Sequence, residues 1–153
     1  MNALLLWLVL CVGGGALVGL TSASGDTEWY RALAKPAWNP PSWVFGPVWT
    51  ALYALMGIAA WRVWRRGGGA EQGAALRLFL AQLAFNFTWS YVFFRFQQIE
   101  LAFVEMMVLW VLIGLTIRAF SRVDRTAALL LVPYLVWVTY AATLNAAIVW
   151  LNS

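Results

Sequence analysis

Apolar residues run along this chain in unbroken blocks. The runs LLLWLVLCV near the N-terminus and MMVLWVLIGL around position 110 are apolar on every face, whereas a membrane-crossing strand alternates apolar with polar side chains. A helix needs about 20 such residues to cross a bilayer, and stretches of that kind can be marked at about 3–23, 43–64, 76–95, 99–119 and 127–151. Every break between them carries charge, Gly or Pro. The pattern predicts an all-α membrane protein: one five-helix transmembrane domain over residues 1–153, with a single long connection, about 24–42, between helices 1 and 2. Thr21-Ser22-Ala23-Ser24 offers small residues of the kind found at a signal cleavage site. Met1-Asn2-Ala3 carries no Lys or Arg, however, and the apolar run is long for a signal core, so the first helix is expected to stay.

Composition agrees with this reading. At 63% hydrophobic and 10% charged residues, with a mean hydropathy of +0.76, the 153-residue chain has too little polar surface to coat a soluble domain. Its few charges are asymmetric. The side shared by the N-terminus and the second and fourth connections holds Arg62, Arg65, Arg66, Arg77, Arg118, Arg122 and Arg125, seven against Arg31, Lys35 and Arg95 on the other. The basic side is therefore expected to face the cytoplasm or its equivalent. Anionic headgroups account for the net charge of +4 without a nucleic-acid partner. The lone Cys11 lies inside an apolar span and excludes an intramolecular disulfide.

The long connection is the chemically distinctive part of the chain. Trp29, Trp38, Trp43 and Trp49 fall within 21 residues, beside the stiff Lys35-Pro36 and Pro40-Pro41 steps, in a chain with 11 Trp and no His. A loop of this length is functional or disordered, and Pro with Trp favours order. Glu28 to Leu33 is expected to form a short helix ending before Pro36, and the loop to act as a lid. Arg65-Arg66-Gly67-Gly68-Gly69 reads as a solvated tether.

Polar groups inside the spans need partners. Gln82, Asn86, Trp89 and Phe93 share one helical face, Trp137, Ala141 and Asn145 another, and Trp49, Tyr53 and Gly57 a third. Two readings fit. The three faces enclose an aromatic pocket with amides at depth, or the amides tie helices together at about 0.6–2 kcal/mol each while the Trp rings fill the bundle. Pro133 is expected to kink the last helix. Trp7, Trp61, Trp64 and Trp150 at span edges read as interfacial anchors. Glu105, about two turns into the fourth span, is protonated or paired. Small-residue faces at Gly15 and Gly19, and at Ala74, Ala81 and Ala84, suit close helix approach, within the bundle or in a homodimer.

WYRALAKPAWNPPSWVFGPVWTALYALMGIAAWRVW, QLAFNFTWSYVFF and PYLVWVTYAATLN together resemble the translocator protein and tryptophan-rich sensory protein family, over close to the whole chain. The resemblance implies a five-helix bundle, often dimeric, that binds porphyrins and in some members sterols or benzodiazepine-type ligands. It also implies a bacterial outer membrane as the setting, a choice the residues themselves leave open. By that resemblance Trp89, Trp137, Ala141 and Asn145 match cavity-lining positions. The expected ligand site is Trp38, Trp43, Trp49, Tyr53, Asn86, Trp89, Trp137, Ala141 and Asn145, with Arg31 and Lys35 as propionate partners. No catalytic residue, metal or cofactor is assigned; a porphyrin enters as ligand. With no His, imidazole-ligated haem is excluded, and Asn39 and Ser42 stand where some relatives have His, so metal-free porphyrin is expected. The Tyr and Lys/Arg of a sterol-contact pattern are missing from residues 145–153, which weakens a sterol reading. A sensor or receptor is thus expected. The alternatives are an enzyme that breaks down porphyrin with light or oxygen, and a carrier of tetrapyrrole, lipid or sterol. Nucleophile triads, metal clusters and nucleotide loops are lacking from the sequence.

Overall fold

The structure, a computed structural model, describes residues 2–23 and 27–153. Residues 24–26, where the expected loop begins, lie outside the described part. All regular structure among the described residues is helical. We number the helices α1 (Ala3–Thr21), α2 (Glu28–Ala32), α3 (Ser42–Arg65), α4 (Ala70–Ser90), α5 (Ile99–Ser121) and α6 (Arg125–Leu151). The boundaries follow local chemistry. Asn2 Oδ1 accepts from Leu4 N at 2.8 Å, Thr27 Oγ1 from Tyr30 N at 3.2 Å and Asp124 Oδ1 from Ala127 N at 3.0 Å, so each of three helices opens on a side-chain cap. The Arg65–Gly69 tether is sharply turned: Gly67 and Gly69 take φ of 85° and 134°, conformations that a side chain would oppose.

Among the described residues, α1, α3, α5 and α6 are long and apolar enough to cross a membrane. Their outward faces carry Leu6, Val9, Leu17, Leu20, Val104 and Val136, each more than half exposed. In water such a surface would be an anomaly, whereas in a bilayer it is the side that meets lipid. The protein is an integral membrane protein. The remaining expected span, 76–95, differs from its prediction: α4 begins at Ala70, ends at Ser90 and runs on as a π-turn over Tyr91–Arg95. It carries Glu71, Gln72, Arg77, Gln82 and Asn86 and is not apolar enough to qualify by composition.

The helices close into a ring. Helix α1 packs on α3, α3 on the start of α6, α6 on α5, α5 on α4, and α4 returns to α1 and α3. Glycine sets the approach of α1 to α3: a Cβ on Gly15 would lie 2.4 Å from the Tyr53 ring, and one on Gly57 would lie 3.0 Å from Leu8 Cδ2 and 3.2 Å from Trp7 O. The expected kink in α6 is a break at Leu131, two residues before Pro133, whose missing N–H and bulky ring prevent continuous helix there. At the basic end Asp124 is buried and bridges to Arg62 at 3.3 Å and Arg66 at 3.1 Å, tying α3 to the α5–α6 corner. Burial alone would raise its pKa. The Ala127 N–H, Arg66 and Arg62 outweigh that and hold the carboxyl below its ordinary value of 3.8.

Candidate functional site

A cavity of about 390 Å³ lies inside the ring, in the size range of small-molecule sites. Helix periodicity decides which side chains line it. From α3 come Ser42, Phe45, Gly46, Trp49, Thr50 and Tyr53, a single face at steps of three and one. Helix α4 and its π-turn add Asn86, Trp89, Ser90, Phe93 and Phe94, and α6 adds Trp137, Ala141, Leu144, Asn145 and Ile148. Val12, Gly15, Ala16, Val18 and Gly19 of α1 supply a wall of small side chains. Because Ala16, Gly19, Gly46 and Thr50 are also exposed, the cavity reaches the outside of the bundle between α1 and α3.

The lining rings hold one another in place. Trp89 stacks on Phe93 with centroids 5.0 Å apart, Phe45 meets Trp137 edge-on at 6.0 Å, and Trp49 lies 5.5 Å from Tyr53 and 6.4 Å from Tyr134. Such pairs add about 0.5–1.5 kcal/mol beyond area burial and fix the ring planes that a flat ligand would meet.

Beneath the rings is a hydrogen-bonded chain. Tyr53 OH donates to Asn86 Oδ1 at 2.5 Å, Asn86 Nδ2 to Tyr134 Oη at 2.8 Å, and Tyr134 OH to Gln82 Oε1 at 2.6 Å. One chain of side chains thus ties α3, α4 and α6. Separately, Trp89 Nε1 donates to Asn145 Oδ1 at 3.2 Å while Asn145 Nδ2 donates to Ile99 O at 3.0 Å. Both readings of the buried amides therefore hold together: Asn86 and Asn145 bridge helices and also line the cavity. Trp137 Nε1 is buried without an acceptor.

Seven of the nine residues expected at the site line this cavity: Trp49, Tyr53, Asn86, Trp89, Trp137, Ala141 and Asn145. The structure places the other two elsewhere. Trp43 is in the first turn of α3 and 75% exposed, rotated off the face of Phe45 and Trp49. Trp38 is 49% exposed and rests on Tyr140, whose hydroxyl donates to Trp38 O at 2.8 Å. Of the charged candidates, Lys35 directs its Nζ to the carbonyls of Tyr30 at 2.7 Å, Leu33 at 2.9 Å and Arg31 at 3.4 Å, so its three hydrogens staple the connection itself. Arg31 is exposed on α2.

The 27–41 connection lies against the cavity end of the bundle. Tyr30 is buried on Phe93 and Phe94 and lines the cavity, while Ala34 exchanges two hydrogen bonds with Asn152 at the end of α6, at 3.1 and 2.9 Å. The dimer candidates divide. Gly15 is committed to Tyr53 within the chain, Gly19 lines the cavity, Ala81 is half-buried, and Ala74 and Ala84 are exposed on α4.

Sequence reasoning missed Phe45, Phe94, Tyr30, and the α1 and α5 walls. Phe45 was legible, four residues before Trp49 on the same face. Met106 and Leu109 carry no such signal, since nothing distinguishes them from their lipid-facing neighbours in an all-apolar helix.

Comparison with known proteins places this architecture. The sequence model described as TspO/MBR family matches residues 7–151. The tryptophan-rich protein TspO of Chlorobaculum tepidum is 41% identical over 99% of both chains. The tryptophan-rich sensory protein of Cereibacter sphaeroides is 43% identical over 98% of this chain and 92% of its own, and the human translocator protein 40% over 86% and 79%.

Proposed function

The chain belongs to the TspO/MBR family, and we propose that it is a membrane receptor that binds a metal-free porphyrin in the aromatic cavity as part of sensing or moving tetrapyrroles. We further propose that Ala70–Ser90 crosses the membrane as a fifth span. Its amides Gln82 and Asn86 are buried against Tyr134 and Tyr53, so composition overstates how polar it looks to lipid.

The observation that carries the reading is one cavity walled by Phe45, Trp49, Trp89, Phe93 and Trp137. Flat aromatic faces suit a macrocycle. The connection over Tyr30 acts as a lid in this reading. Arg31 at its surface pairs with a propionate, while Lys35 keeps the lid folded. The relatives' names speak of a sensory protein and a translocator, which agrees with a ligand-binding membrane protein. Exposed small residues on α4, Ala74 and Ala84, are the proposed homodimer face, since Gly15 is occupied inside the chain.

Protoporphyrin should quench Trp fluorescence saturably in purified protein. Trp137→Ala should weaken binding by about 1–3 kcal/mol, roughly 5- to 150-fold, while Trp43→Ala, outside the cavity, should leave affinity unchanged. Equal affinity in the parent and a folded Trp137→Ala would remove the cavity from the reading.

A further inference from the structure

Glu105 is a carboxyl group inside a span, and the cavity makes no use of it. It stands six residues beyond Ile99, the start of α5, or about 9 Å along the helix, which puts it below the edge of a hydrocarbon layer about 30 Å thick. Leu101, Val104 and Val108 around it are exposed, so this part of α5 faces lipid. Its Oε1 meets the Thr88 hydroxyl of α4, and its Oε2 is buried with no donor.

Among the described residues no cation balances it. The ion pairs recorded among the described residues both belong to Asp124. On α4, Glu71 and Arg77 lie three turns or more before Thr88, and Arg95 beyond it is exposed. Tyr91 meets Thr21. On α6, Tyr134 is held by Asn86 and Gln82, Tyr140 by Trp38 O, and Arg125 lies at the opposite end. On α5 itself Glu100 is exposed in the first turn and Arg118 sits in the last.

Proton counting then decides the state. Thr88 Oγ1 contacts both Glu105 Oε1 and Phe85 O, the latter at 3.1 Å, but a hydroxyl has one hydrogen. If Glu105 is ionised, Thr88 gives its hydrogen to the carboxylate, Phe85 O loses it, and Oε2 shares a negative charge in hydrocarbon without a donor. If Glu105 carries a proton, its O–H donates to Thr88 Oγ1, Thr88 donates to Phe85 O, and Oε2 is an uncharged carbonyl oxygen. The second arrangement satisfies every hydrogen and buries no charge.

We propose that Glu105 is a proton-binding site, a carboxylic acid held neutral in the α4–α5 seam and open from the lipid to apolar carboxyl reagents. The seam backs the cavity, since Thr88 precedes Trp89, Glu105 precedes Met106, and both followers line the wall. The proton therefore clamps two cavity helices together. This inference does not depend on which ligand the cavity takes.

The test uses the full chain in phosphatidylcholine nanodiscs. Between about pH 5 and 8, where a water-exposed Glu is ionised, infrared spectra of the parent should show a protonated-carboxyl C=O band that Glu105→Gln lacks. Dicyclohexylcarbodiimide should label the same residue. The carboxyl O–H adds across one C=N bond to give an O-acylisourea, whose acyl group then shifts to nitrogen, so the peptide gains the whole reagent and nothing leaves. Peptide mass mapping needs only the parent chain and stays decisive if Glu105→Gln does not fold. Spectra without a difference band, or an unmodified Glu105 peptide after reagent treatment, would mean an ionised carboxylate and overturn the proposal.

Discussion

Gly15→Ala adds one methyl group where α1 closes on the Tyr53 ring of α3. The new Cβ would lie 2.4, 2.5 and 2.9 Å from three atoms of the Tyr53 ring, inside any real contact distance, so the ring must turn or α1 must lift off α3. Overpacking of this kind costs about 1–3 kcal/mol. Displacing Tyr53 also strains the bond from its hydroxyl to Asn86, a further ~0.6–1.7 kcal/mol on the scale of interhelical bonds in membranes. Against this stands the helix preference for Ala over Gly, about 1 kcal/mol. The net expectation is a loss of about 1–3 kcal/mol. Gly13, two residues earlier on the same helix, is the control, because its Cβ would meet nothing nearer than Val9 at 3.8 Å and Gly13→Ala keeps the propensity gain alone. Reversible denaturation in mixed micelles, followed by Trp fluorescence, should place the two variants on opposite sides of the parent. In a Tyr53→Ala background the further cost of Gly15→Ala should shrink, since the clashing ring is gone. If Gly15→Ala is as stable as Gly13→Ala, the glycine is not holding α1 against α3, and an intermolecular role for that face returns.

Two more outcomes follow from the structure. Asp124 has a folded pKa below 3.8, so its contribution to stability is present above that value and lost as pH falls through the folded pKa; Asp124→Asn, which keeps a helix cap, should lower stability at pH 7 by about 2 kcal/mol and flatten the acid limb of melting midpoints below pH 4, and an unchanged limb would mean that another group governs it. Tyr140→Phe with Asn152→Ala cuts two ties of the 27–41 connection without touching the cavity lining, and stopped-flow release of protoporphyrin should accelerate on the order of tenfold; an unchanged release rate would make the connection a passive link, with the ligand leaving between α1 and α3.

Apolar patterning and composition determined that this chain is helical and membrane-embedded, and periodicity grouped candidate residues of α3, α4 and α6 into faces; that these faces enclose a cavity was decided by the tertiary structure. Seven of nine expected residues meet because a helix of 3.6 residues per turn fixes direction once its polar or aromatic face is known. The short α2 helix was equally legible at its end, where Pro36 forbids continuation, while its opening cap on Thr27 is a finding of the structure. Trp43 shows a spacing left unused: it lies six residues before Trp49, off the face that Phe45 shares at four residues before it, and the structure turns it outward. Lys35 shows a limit, because charge says nothing of whether its hydrogens are already taken by nearby carbonyls. Gly15 is the clearest case. A small residue permits close approach from any partner, and sequence does not name the partner; the tertiary structure chose Tyr53, spent the glycine inside the chain, and left to α4 the exposed small residues. Lipid-like uniformity hid the α1 and α5 walls for the same reason, since all-apolar helices carry no marker of which side meets a cavity and which meets the bilayer.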